Sequence, residues 1–170
     1  MKIDHLLSKK LNEILEKNRF LKNLSLFLSN YLIFLMFILV FVVLYFSRQS
    51  QFFLISFKIG LNLLLVWVLV IILRRLKPRL RPFLVLKINK LSDFLIGPEG
   101  SSFPSLHAAV AFSCGFSVLP EFLFFGIIIL ILASLVSLGR ILIGVHYLTD
   151  ILGGIFLAAG VFLLTRLFIF

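Results

Sequence analysis

The stretch Leu24 to Phe46 reads LSLFLSNYLIFLMFILVFVVLYF and carries no charge. A helix crosses the hydrocarbon of a bilayer with about 20 apolar residues at about 1.5 Å rise each, so this run predicts a membrane span. The whole chain supports that reading. Of 170 residues, 61% are hydrophobic and 14% charged, whereas a soluble domain is typically about half apolar and about a quarter charged. An ordinary water-soluble globule is excluded, and no length is left for a second, soluble domain.

Working outward, Phe52 to Leu73 forms a second apolar run interrupted by Lys58, close enough to one end to snorkel toward headgroups. Residues 103–119, 122–139 and 148–170 form three more, with Pro120 and Glu121 as the turn between the first two of these. On the amino-terminal side, residues 1–23 are polar. Ile3, Leu6, Leu7, Leu11, Ile14 and Leu15 recur there at helical spacing, while Lys9, Lys10, Glu13, Glu16 and Lys17 fill the other face. That pattern predicts an interfacial amphipathic helix rather than a signal peptide, whose apolar core would be shorter and followed by small residues. The expected fold class is all-α: an integral membrane helical bundle of about five transmembrane helices plus the interfacial helix, forming one domain over residues 1–170. Ala108, Ala109 and Ala111 on the third span and Gly153, Gly154, Ala158, Ala159 and Gly160 on the fifth allow close helix contact. Oligomeric state is left open. Cys114 has no second cysteine with which to pair.

Residues 74–102 depart from the apolar pattern. Arg74, Arg75, Lys77, Arg79 and Arg81 crowd one end, prolines 78, 82 and 98 and glycines 97 and 100 break it, and Val85, Leu86, Ile88, Leu91, Phe94 and Leu95 suggest a short surface helix between. It is the natural place for a site. Seventeen Lys and Arg against seven Asp and Glu give a net charge of +10. In a soluble protein this would suggest nucleic acid; in a chain that lives in lipid, phosphates on lipids are the better partners.

Ionisable residues at span ends are costly unless paired or functional, and three clusters stand out: Arg74 to Phe83 (RRLKPRLRPF), Ser101 to Ala109 (SSFPSLHAA) and Ser137 to Asp150 (SLGRILIGVHYLTD). Tracing five spans puts all three on one membrane face. Guanidiniums match phosphate oxygens bidentately, so converging arginines suit a phosphoryl-transfer site without a metal. His146 and Asp150 stand four apart, so the carboxylate could hold Nδ1–H and leave Nε2 as a nucleophile. His107, on another helix, could protonate the leaving group. Plainer readings stand beside these. Arg75, Lys77, Arg79, Lys87 and Lys90 fit topology signals or headgroup anchors, Ser105 fits a helix cap, and His107 an interfacial cap. Asp150 has His146 and Arg140 as its evident partners, and a structural ion pair is the bland alternative. His5 reads as a surface residue.

Together the clusters resemble the three-part signature of the type 2 phosphatidic acid phosphatase family, membrane lipid phosphatases related to vanadium haloperoxidases. The third part matches most specifically: Arg140, five residues, His146, three residues, Asp150, with Gly139 where the family has Ser. The second appears as Pro104, Ser105, Leu106 and His107, with Leu in place of Gly. The first appears as Arg81 and Pro82, with Arg74 seven residues earlier where the family has Lys, and Lys77 as the alternative occupant of that place.

The resemblance implies that His146 forms a phosphohistidine oriented by Asp150, that His107 protonates the lipid leaving group, and that Arg74, Arg81, Ser105 and Arg140 hold the phosphate. It implies no metal and no cofactor. Among small bacterial relatives it points to undecaprenyl pyrophosphate, lipid A 1-phosphate or phosphatidylglycerophosphate as substrate. The basic stretch of Arg75, Lys77 and Arg79 favours a highly charged cell-envelope lipid. A non-catalytic anionic-lipid binding or transport protein is the competing class; it explains the arginines but not the spacing of His146 and Asp150. Fourteen of the seventeen basic residues fall on the face bearing the motifs. The positive-inside rule places that face in the cytoplasm, whereas the resemblance implies the periplasmic face of a bacterial inner membrane.

Overall fold

The computed structural model describes residues 2–47, 51–86 and 101–169 as eight helices. Of the expected surface helix from Val85 to Leu95, Val85 and Leu86 close a four-residue helix that begins at Pro82, and the rest, with Lys87 and Lys90, lies outside the described residues, as does most of the polar turn around Arg48. In order the helices are α1 (Lys2–Lys17), α2 (Arg19–Asn30), α3 (Leu32–Ser47), α4 (Phe52–Leu76), α5 (Pro82–Val85), α6 (Leu106–Val118), α7 (Leu123–Leu142) and α8 (Leu148–Phe168).

The expected amphipathic segment ends at Lys17, where Asn18 caps the next helix by accepting the Leu21 amide at 3.1 Å. The run Leu24 to Phe46 is not one straight helix. It bends by 47° between α2 and α3. Its polar residues explain which way α2 faces: Ser25, Ser29 and Asn30 are buried, while Phe20, Leu24 and Phe27 point outward. This inside-out amphipathicity suits a helix whose solvent is lipid. The helices α4, α7 and α8 are each long and apolar enough to span a membrane, and the bent α2–α3 pair passes as a fourth.

At 13 residues, α6 is about 20 Å long, short for a span on its own. It is the centre of the bundle instead. Ala108, Ala109, Ala111, Phe112, Cys114, Gly115 and Val118 are buried, with α4, α7 and α8 packed around it. Small residues make this possible. A Cβ on Gly154 of α8 would come within 2.7 Å of the Ser105 carbonyl at the start of α6, so this glycine sets how closely the two helices approach. Outside the core, Phe53, Phe57, Phe124, Phe156 and Phe168 are exposed, a surface that only a membrane would cover.

Candidate active site

The three polar clusters meet through backbone and side-chain hydrogen bonds. After α4 ends at Leu76, Pro78 stops further helix, the Arg79–Arg81 segment runs on without helix, and Pro82 opens α5 from its first position. The segment is strapped to the second cluster by the Ser102 amide donating to the Arg79 carbonyl (2.7 Å) and the Arg79 amide donating to Ser101 Oγ (3.1 Å). Its next turn is held to the third cluster by the Phe83 amide donating to the Gly144 carbonyl (3.2 Å). Gly144 adopts φ 76°, a left-handed turn that glycine enters without steric cost. The second and third clusters join where the Ser105 amide donates to the Asp150 carbonyl at 3.0 Å.

Arg74 projects from the last turn of α4 and donates through Nε and Nη2 to the Pro104 carbonyl at 3.1 and 3.0 Å. Lys77 is exposed at the C-cap of the same helix. Ser105 is the N-cap of α6, its hydroxyl accepting the Ala108 amide at 3.5 Å. Arg140 is 1% exposed at the end of α7 and donates through Nη1 to Ser29 Oγ of α2 at 3.1 Å. This accounts for Gly139 in the place of the family's serine. A Cβ there would lie 2.6 Å from the Ser29 amide nitrogen, so glycine admits α2, and α2 brings a hydroxyl to the neighbouring arginine.

His146 is 1% exposed in the turn before α8, and Asp150 is fully buried one turn into that helix. The Asp150 Oδ2 accepts the Tyr147 amide at 2.8 Å and stands 3.6 Å from His146 Nδ1, too far for a hydrogen bond. Burial and the guanidiniums of Arg140, Arg81 and Arg74 push the His146 imidazole well below its usual pKa, against a hydrogen bond to the Ser102 backbone that raises it, so the ring is neutral at physiological pH. His107 lies within electrostatic reach of the same three arginines and of His146. It also lines an apolar groove of about 200 Å³ with Ile33, Phe34, Phe37, Leu106 and Val110. Leu106, where the family has glycine, is thus part of the groove wall.

Several donors in this cluster are left without partners. Among the described residues, Arg81 Nε and Nη1, Arg140 Nε and His146 Nδ1 are buried without a hydrogen-bond partner. Each such donor costs about 1–3 kcal/mol, and three guanidiniums close together add mutual repulsion. An anion entering among them would relieve both costs.

Three readings from the sequence need correction. Asp150 takes Arg79 as its ion-pair partner at 2.6 Å, whereas Arg140 bonds to Ser29. Arg79 is therefore not a headgroup anchor; it also pairs with Asp4 at 3.0 Å. His5 is not a lone surface residue, since its ring stacks on Tyr147 with centroids 5.4 Å apart. No sequence pattern pointed to Asp4, because the contact spans 75 positions between Asp4 and Arg79.

The structure joins a helical membrane bundle to a buried cluster of arginines and two histidines, and family comparison places the chain. Residues 76–170 match the family model described as PAP2 superfamily, and the chain belongs to that superfamily. No curated protein matches the sequence. Among solved structures, LpxE of Aquifex aeolicus is similar in fold at TM-score 0.67 and 23% identity, covering 98% of this chain and 94% of that one. The first transmembrane PAP2 type phosphatidylglycerolphosphate phosphatase from Bacillus subtilis is similar at TM-score 0.55 and 23% identity, covering 98% and 84%.

Proposed function

We propose that the chain hydrolyses a phosphomonoester or pyrophosphate bond on a cell-envelope lipid through a phosphohistidine at His146, without a metal. The observation that carries this is the set of buried, unpartnered guanidinium donors on Arg81 and Arg140 beside a neutral imidazole. The His146 Nε2 attacks phosphorus as the bond from phosphorus to the lipid-side oxygen breaks, and His107, which takes up a proton as the anionic phosphate enters, gives it to that oxygen. Asp150 carries the opposing charge to the imidazolium that forms, closing from 3.6 Å to hydrogen-bond distance as charge develops. Water, deprotonated by His107, then attacks phosphorus and the P–N bond breaks, releasing phosphate. Arg74, Arg81 and Arg140 stabilise the charge on the equatorial oxygens, and Ser105, the cap of α6, joins them in holding the phosphate.

The groove beside His107 supports a lipid rather than a soluble ester, because apart from that histidine its lining is apolar. Between lipids, the proximity of many cations favours undecaprenyl pyrophosphate or lipid A 1-phosphate over phosphatidylglycerophosphate or phosphatidic acid. Arg79 no longer contributes to that preference, since two carboxylates already engage it. The site is assigned to the periplasmic face of a bacterial inner membrane. Labelling of a Lys90→Cys variant by an impermeant thiol reagent in intact cells is expected on that assignment, and protection until lysis would reverse it.

The direct test is phosphate release by the purified chain in EDTA from those four lipids. Turnover is expected to persist in EDTA, to stop with vanadate and to vanish in His146→Ala. Preference for phosphatidic acid would overturn the substrate choice, and loss in EDTA the metal-free chemistry. Lipid binding with no release from any of the four would establish the binding or transport reading instead.

A further inference from the structure

We propose that Asp4 of the amino-terminal helix and Arg79 form a positioning clamp on Asp150, so that docking of α1 sets the carboxylate that faces the nucleophile. The inference rests on the assignment of His146 as nucleophile.

The contacts form a closed circuit across three elements distant in sequence. Arg79 Nη1 donates to Asp150 Oδ1 and to Thr149 Oγ1, each at 2.6 Å, while Nη2 donates to Asp4 Oδ2 at 3.0 Å. Thr149 Oγ1 donates to the same Asp4 oxygen at 2.8 Å. The guanidinium lies 4.1 Å from the centroid of the Tyr147 ring, on which His5 also stacks. Burial alone would raise the Asp4 carboxyl, but the hydrogen bonds from Thr149 and Arg79 outweigh it and hold it below its ordinary value, so Asp4 is an anion at neutral pH.

This is more than an ion pair that glues α1 to the bundle. The two Asp150 oxygens are divided: Oδ1 is held by Arg79, and Oδ2, held by the Tyr147 amide, is the one that faces His146 Nδ1. With both ends fixed, the carboxylate cannot rotate. Arg74 and Arg81 also feel the Asp150 charge, and a released carboxylate would turn toward them and occupy cations that the phosphate needs. Arg79 prevents this, and Asp4 holds Arg79. The planar fork reaches Asp150 and Asp4 at once, whereas an ammonium on the same stem holds only part of that contact.

The test uses the full-length purified chain and the lipid, among the four above, that it hydrolyses fastest. Arg79→Gln should lower kcat by about tenfold or more with KM within about threefold, the size expected when a supporting partner of a reactive group is removed. Asp4→Asn should lower kcat by roughly fivefold, and the double variant should fall no further than Arg79→Gln alone, since both act through one circuit. Arg79→Lys should recover part of the loss. Thr149→Val, which removes a single hydroxyl, should lower kcat by about threefold and serves if Arg79→Gln does not fold. Unchanged kcat in Asp4→Asn, additive losses, or a raised KM at constant kcat in Arg79→Gln would overturn the clamp. Turnover surviving in His146→Ala would instead overturn the nucleophile on which it rests, so the two failures are distinct.

Discussion

Two polar regions are buried in this apolar bundle, and they are finished differently. Toward the opposite end from the histidines, Asn62 of α4 donates to Ser117 Oγ of α6 at 3.0 Å and accepts from Thr165 Oγ1 of α8 at 2.7 Å, while Ser117 donates to the Ser113 carbonyl at 2.8 Å. Every member of that triad has a partner. At the other end, Arg81, Arg140 and His146 keep buried donors without a partner among the described residues. A saturated network ties helices together, and an unsaturated one waits for a ligand. In an apolar bundle, where each buried polar group is costly, the distinction separates structure from function more sharply than polarity alone.

The comparison can be broken by substitution. The largest effect is expected at His146: alanine there should cut phosphate release by at least about a thousandfold, as loss of a covalent nucleophile does, measured as initial rate at saturating lipid. Arg140→Ala or Arg81→Gln should cost about a hundredfold, the scale of a lost charge-stabilising donor. Vanadate should sharpen the contrast. At about 100 times its dissociation constant it should stabilise the wild-type chain by about 2.7 kcal/mol in thermal unfolding, and most of that gain should disappear in Arg81→Gln.

The pH dependence follows from the same cations. Protonation of His146 is suppressed by burial and by Arg140, Arg81 and Arg74, so kcat/KM should lose nothing to nucleophile protonation between about pH 8 and 6.5. Removing one cation with Arg81→Gln raises the imidazole pKa and should move the acid limb to higher pH. The smallest effect is expected at the saturated end. Thr165→Val should lower stability by about 0.5–1.5 kcal/mol and leave kcat within about twofold of wild type; a large loss of turnover there would erase the distinction.

Much of this was open to reading from the chain itself. The apolar runs located the long helices because lipid demands length and composition together, and Arg140, His146 and Asp150 stood out because charges are expensive at span ends. What stayed hidden was pairing between distant positions. Asn62 passed unnoticed inside Phe52 to Leu73, since one amide barely changes the hydropathy of a run, yet it is the hub of the second network. Asp4 and His5 belonged to an amphipathic helix whose pattern says that one face is apolar, not what its polar face meets. The bend after Asn30 was equally invisible, because neither proline nor glycine marks it and the buried polar pair Ser29–Asn30 matters only once α7 is alongside. Gly139 stands in the sequence only as a departure from the family's Ser; the packing of α2 against it brings the Ser29 hydroxyl to Arg140.

The central claim is that the unsaturated basic pocket holds phosphorus for attack by His146. It is tested most directly by mixing the purified chain with lipid labelled in its terminal phosphate, quenching in alkaline denaturant within a turnover, and locating the label by mass spectrometry. The account predicts an acid-labile, base-stable phosphate on His146, absent when vanadate is present. Label on another residue, or undiminished turnover in a His146→Ala chain, would contradict it.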